Sequence, residues 1–125
     1  MTILDEWIEK AEADYKGAMG LNRRRKEPLP DLVCFHCQQC AEKYLKAFLI
    51  AHGFVPPRTH DLQRLLALTT AHDATLAALD ADCAALTPYA VDFRYPSSTA
   101  TVAEAKDAVK TVRRIRTLLR KNLGL

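Results

Sequence analysis

The chain has 125 residues, 49% hydrophobic, 26% charged and 7% aromatic, with a formal net charge of +3. That length supports one domain, 1–125, with a core of its own, and the mild charge does not by itself announce a nucleic-acid binder. No apolar stretch approaches the ~18 residues of a membrane span, and MTILDEWIEK lacks the basic and apolar regions of an export signal. A cytoplasmic protein with reduced thiols is expected.

Frequent alanine and scarce aromatics favour closely packed helices. From Thr2 to about Asn22, the apolar residues Leu4, Trp7, Ile8, Ala11, Tyr15, Ala18 and Met19 recur at three and four. This is the stripe of an amphipathic helix, weakened late by Gly17 and Gly20. Pro28 and Pro30 interrupt it. Asp31 is placed to cap a second helix from Leu32 to about His52, with Gly53 as its stop.

Thr59 is placed to cap a third helix beginning at HDLQRLLAL, and Asp73 a fourth through TLAALDADCAAL, which Pro88 kinks or ends near Thr87. The loop FRYPSS follows. Thr101 with Glu104 forms a capping-box pattern for a last helix carrying Val102, Ala105, Val109, Val112, Ile115, Leu118 and Leu119. The fold class is all-α, an antiparallel up-and-down bundle of four to five helices.

Two basic runs stand out, Arg23-Arg24-Arg25-Lys26 and Arg113-Arg114-x-Arg116 through Arg120-Lys121. Such runs can hold phosphates, or can be solvated helix ends whose cations complement the dipole.

The stretch CFHCQQC, Cys34 to Cys40, raises metal and redox readings. At about 100° per residue, Cys34, Cys37 and Cys40 share a helix face with Ala41, Tyr44, Leu45 and Phe48. A helix separates Cys34 from Cys40 by about 9 Å of rise, whereas tetrahedral zinc needs its ligands within about 4 Å of one another. Cys37-x-x-Cys40 sits inside the helix, away from the positive N-terminal end that activates redox thiols. The cysteines read as core residues, with no metal and no cofactor expected.

His36, Gln39, Lys43 and Lys46 fall on the other side with Glu42 alongside, either a solvated face or a ligand-binding stripe. Gln38 falls on the core side, where its amide must find partners and can fix a helix contact.

FHCQQCAEKYLKAFLIAHG, RTHDLQRLL and LTPYAVDFRYP, in that order, resemble the HEPN (higher eukaryotes and prokaryotes nucleotide-binding) domain family, as do the opening WIEKAEADYKGA and the last helix. The resemblance implies a helical bundle, often a homodimer, frequently encoded beside a minimal nucleotidyltransferase. Many relatives are metal-independent ribonucleases and some are toxins of toxin–antitoxin pairs. Their motif is an arginine followed after four to six residues by a histidine. Here Arg94 has no histidine downstream, Arg64 precedes His72 by eight positions, and Arg58 precedes His60 by two.

The expectation is therefore a protein binding a nucleotide or RNA phosphate in a cleft near His36, Gln39, Lys43, His60 and Arg94, paired with a nucleotidyltransferase. One alternative is a ribonuclease toxin in which Arg94 steadies the phosphate and a histidine such as His60 is brought in by folding. Another is a purely structural interaction module. His60 is expected to open a helix whose free amides attract anions, or to serve with Asp61 as cap and first turn.

Overall fold

The computed structural model describes residues 1–93 and 95–125, and among these it contains helices and no strand. The five α-helices are α1 (Ile3–Asn22), α2 (Pro30–Ala51), α3 (Leu62–Thr70), α4 (Asp80–Leu86) and α5 (Val102–Asn122). Two 3₁₀ turns, Ala74–Leu79 and Thr87–Ala90, flank α4. No helix is long and apolar enough to cross a membrane, among the described residues.

Local signals set most boundaries. Thr2 and Asp5 close a capping box on α1, and Thr101 and Glu104 close another on α5. Gly53 ends α2 at φ +82°, a left-handed position that glycine adopts without a Cβ clash. The Gly53 and Phe54 amides then donate to the Ile50 and Leu49 carbonyls, the paired bonds of a Schellman motif.

Three expected boundaries differ. Pro30 does not interrupt a helix but begins α2, because the first turn needs no amide donor and favours proline's fixed φ. Asp31 therefore sits inside the first turn, and its carboxylate accepts from the Ala100 amide at 2.6 Å, tying the start of α2 to the segment before α5. At α3 the cap is Asp61, accepting from the Gln63 and Arg64 amides, while Thr59 supports it by accepting from the Asp61 amide. Asp73 does cap its segment, but the first six residues wind as 3₁₀ before α4 begins.

Helix α2 is the axis of the bundle. Thirteen of its residues are buried, including Tyr44, Leu45, Phe48 and Leu49. Each large side chain taken from water contributes about 2 kcal/mol of transfer free energy, so this helix supplies much of the core. Trp7 meets Lys46, Asp14 meets Lys43, and Gly17 approaches the His36 ring. Those pairs descend along α2 as they climb α1, so the two helices are antiparallel. Helix α5 opposes α1 in the same way, Arg116 meeting Glu12 and Arg113 meeting Tyr15 and Met19. Arg120 reaching Tyr44 and Asp31 reaching Ala100 set α5 parallel to α2, with the shorter α3 and α4 carrying the chain back between them.

Cys34, Cys37, Cys40 and Cys83 are free thiols, all fully buried. Burial pushes Cys34 and Cys83 up to about 12 and raises Cys37 and Cys40 as well. The three cysteines of CFHCQQC are packing residues on the inner face of α2, as their angular positions require. Among the described residues no group of three or more His, Cys, Asp or Glu side chains is gathered around a metal-sized space.

Candidate ligand site on the α1–α2 face

The side of α2 opposite the cysteines is covered by α1 and by the segment leading into α3, so its polar residues are not a free solvated stripe. They pair around two carboxylates. Asp14, itself buried, accepts from His36 Nδ1 at 2.8 Å and from Lys43 Nζ. Glu42, also buried, accepts from Lys46 Nζ at 3.1 Å, His60 Nδ1 at 2.8 Å and Gln38 Nε2 at 3.2 Å.

Gln38 is the joint of the second group. Its Nε2 also donates to the His60 carbonyl at 3.0 Å, and its Oε1 accepts from Gln39 Nε2 at 2.8 Å. The expected amide-mediated helix contact is thus present, between α2 and the turn before α3. No buried side-chain nitrogen or oxygen lacks a partner among the described residues. Complete pairing matters here, because a buried unpaired charge costs several kcal/mol.

Lys46 departs furthest from expectation. Placed by angle on an outer stripe, it is only 8% exposed, bonded to Glu42 and 5.8 Å from the centre of the Trp7 ring. α1 lies over this part of α2, and its indole shields the ammonium while the ring face attracts it. Sequence reasoning also missed Asp14 and Glu42 as centres. Asp14 had a visible signal: it interrupts the apolar stripe between Ala11 and Ala18, where a carboxylate must meet a cation.

His36, Gln39, Lys43 and His60 therefore lie on one polar band but in two groups, His36 and Lys43 on Asp14, Gln39 and His60 on the Glu42 side. His60 is the most open, with 60% of its side chain exposed. Its Nδ1 lies 2.8 Å from a Glu42 oxygen, the kind of pairing by which a carboxylate orients an imidazole. The helix-amide rationale for an anion at His60 does not hold, since Asp61 already occupies the first amides of α3. Arg94 lies outside the described residues.

Two hollows adjoin this band. One, of about 590 Å³, is lined by Met1, Ile3, Glu6, Trp7, Glu9, Lys10 and Lys43. The other, of about 560 Å³, runs from Ile3 and Trp7 past Lys46 and Ile50 to Phe54, Val55, Pro57 and Arg58. Ile3 and Trp7 line both, so an aromatic side chain is shared by a hollow holding Lys10 and Lys43 with Glu6 and Glu9 and by one holding Arg58.

Arg120 and Lys121 of the second basic run stand in the last turn of α5, as a helix-end role requires, but three of its arginines have a further role. Arg116 and Arg120 bind Glu12, Arg114 binds Asp82 through two nitrogens, and Arg120 also donates to Tyr44 Oη. These arginines fasten α5 to α1, α2 and α4.

The family model of the HEPN domain matches residues 4–122. The chain belongs to the HEPN family. Two solved structures share the fold over essentially the whole length. TT1696 from Thermus thermophilus is 26% identical, covering 97% of this chain and 98% of that one, with a TM-score of 0.83. ST0689, an archaeal HEPN homologue, is 23% identical, covering 98% of each chain, with a TM-score of 0.73. No match was found among curated proteins. The HEPN resemblance expected from QQCAEK, THDL and FRYP is therefore correct, and in this HEPN chain the glutamines and the glutamate of that first motif are the residues that build the Glu42 group.

Proposed function

We propose that this HEPN protein binds a nucleotide or an RNA phosphate on the α1–α2 face and acts as the partner of a minimal nucleotidyltransferase in a two-gene, toxin–antitoxin-like system. The observation that supports this reading is Trp7 lining two hollows that each contain a cation, close to an exposed His60 bonded to Glu42. An indole face stacks on any base, contributing about 1–3 kcal/mol, and Lys10 and Arg58 supply charge for phosphate. Specificity of this kind needs rigid polar groups, and the paired carboxylates hold His36, Lys43 and His60 in place.

Calorimetry with nucleoside triphosphates and short RNAs tests the binding. A Kd in the micromolar range, weakened about tenfold or more by Trp7→Ala, supports it; heats no larger than dilution for every ligand refute it. Co-expression with the adjacent gene product and co-purification test the partnership.

A second reading, an interaction module, draws on the same region. Ile3, Phe54 and Val55 are 61%, 53% and 93% exposed around Trp7, an apolar patch suited to covering by protein. A homodimer formed there would bury Trp7, and light scattering of the wild type against Trp7→Glu distinguishes it.

A further inference from the structure

The first basic run differs from the second in one respect. Arg114, Arg116 and Arg120 are taken up by carboxylates, whereas Arg23, Arg24, Arg25 and Lys26 form no ion pair among the described residues, and all four are exposed. They sit at the end of α1, where the chain turns toward α2. Asn22, Arg23, Arg24 and Arg25 line a hollow of about 520 Å³ whose other wall is Pro28, Val102 and Lys106, the last two from the first turns of α5.

Lys106 begins a row. Lys106, Lys110 and Arg113 recur at four and three on α5, so they share one helix face and span about 10 Å along it. Arg113 fixes where that face lies: its guanidinium donates to Tyr15 Oη and Met19 Sδ, both at 3.4 Å, so the row follows the seam with α1. Those partners are neutral and leave its charge uncompensated. Lys106 and Lys110 form no ion pair among the described residues. Of the acidic groups nearest in sequence, Asp107 lies about 100° off the row and Glu104 is held in the capping box of α5, while Glu27 follows the arginines in the turn.

We propose that the seam built by Arg23, Arg24, Arg25, Lys106, Lys110 and Arg113 binds a run of consecutive phosphates, as carried by a single nucleic-acid strand or by inorganic polyphosphate. A line of cations without carboxylate partners, longer than one phosphate, matches a linear polyanion and not an isolated anion. Arginine gives forked hydrogen bonds to phosphate oxygens while lysine adds a point charge. The site lies on the α1–α5 side, apart from Trp7 and His60, and does not depend on the nucleotide reading above.

The test is fluorescence anisotropy of the full chain with a labelled twelve-nucleotide oligouridylate at low salt, with inorganic polyphosphate as competitor. Arg24→Gln with Lys106→Gln is compared with an equal loss of charge elsewhere, Arg64→Gln with Lys121→Gln. The seam variant is expected to bind at least fivefold more weakly. Its salt dependence should be shallower by about 1.4 in log–log slope, two phosphate contacts at ~0.7 each. The control is expected to change less than twofold.

Competition by polyphosphate at matched phosphate concentration identifies the phosphate run itself as the ligand, and binding of the oligonucleotide without such competition identifies the nucleic-acid strand; both support the site. Equal weakening by the two variants overturns it, as does no binding of either polymer by the wild type. Both variants replace exposed side chains without carboxylate partners, and their unchanged thermal midpoints confirm folding. Mononucleotide calorimetry reads the Trp7 site separately, so either proposal can fail alone.

Discussion

Arg116 grips Glu12 through two nitrogens, Nε to Oε2 at 2.8 Å and Nη2 to Oε1 at 2.6 Å, and lies 4.2 Å from the centre of the Tyr15 ring. This bidentate pair joins the first helix to the last across 104 positions of sequence. It shows why Arg116 is structural: a planar guanidinium between a carboxylate and an aromatic face has two of its nitrogens and one of its faces occupied.

Acid stability should report that pair. Hydrogen bonding from Arg116 holds the Glu12 carboxyl at about 2, below its ordinary 4.5. A carboxyl lowered in the folded state contributes stability that is complete above the unfolded value and lost as pH falls through the folded one. The loss therefore falls between about pH 4.5 and 2. Glu12→Gln should cost on the order of 2 kcal/mol at neutral pH and flatten that part of the profile. Urea denaturation at several pH values measures both.

Glu42 neutralises Lys46 inside the bundle and holds His60 and Gln38. Glu42→Ala should destabilise by about 3 kcal/mol, because it leaves an ammonium buried with no carboxylate. The double change Glu42→Ala with Lys46→Met should recover much of that loss. Equal stabilities of the single and double variants would show that the buried charge is not the cause.

The thiols should be inert in the native protein. With Cys34 and Cys83 raised to about 12 and all four buried, no thiolate is available near pH 8. A disulfide reagent should label the native chain only at its unfolding rate, and all four sites rapidly in denaturant. Cys37→Ser should cost about 1 kcal/mol more than Cys37→Ala, since a hydroxyl must find a partner in an apolar layer. Purified protein should carry no stoichiometric zinc, which elemental analysis checks.

Gly17 and Gly20 leave room for a methyl group. A Cβ at Gly17 would meet the His36 ring at 3.7 Å, an ordinary contact, and one at Gly20 would meet nothing within 4 Å. Both lie within α1, where alanine is favoured over glycine by up to about 1 kcal/mol. Gly17→Ala with Gly20→Ala should raise stability by about 1–2 kcal/mol, seen as a higher thermal midpoint.

Periodicity and capping chemistry are local, so the sequence by itself determined where α1 and α5 run, that Gly53 ends α2, and which side of α2 holds its cysteines. The HEPN assignment was legible for the same reason, since its motifs are short runs read in order. What covers a polar stripe is not local. Only the tertiary structure decided that α1 lies over the outer side of α2, turning Lys46 from a surface residue into a buried one and making Asp14 and Glu42 the centres of the candidate site. The fates of the two basic runs were settled in the same way. In one, Arg114, Arg116 and Arg120 face Glu12 and Asp82 across the bundle and are neutralised; the other meets no carboxylate partner among the described residues, because the charge a residue finds opposite it depends on packing between helices distant in sequence.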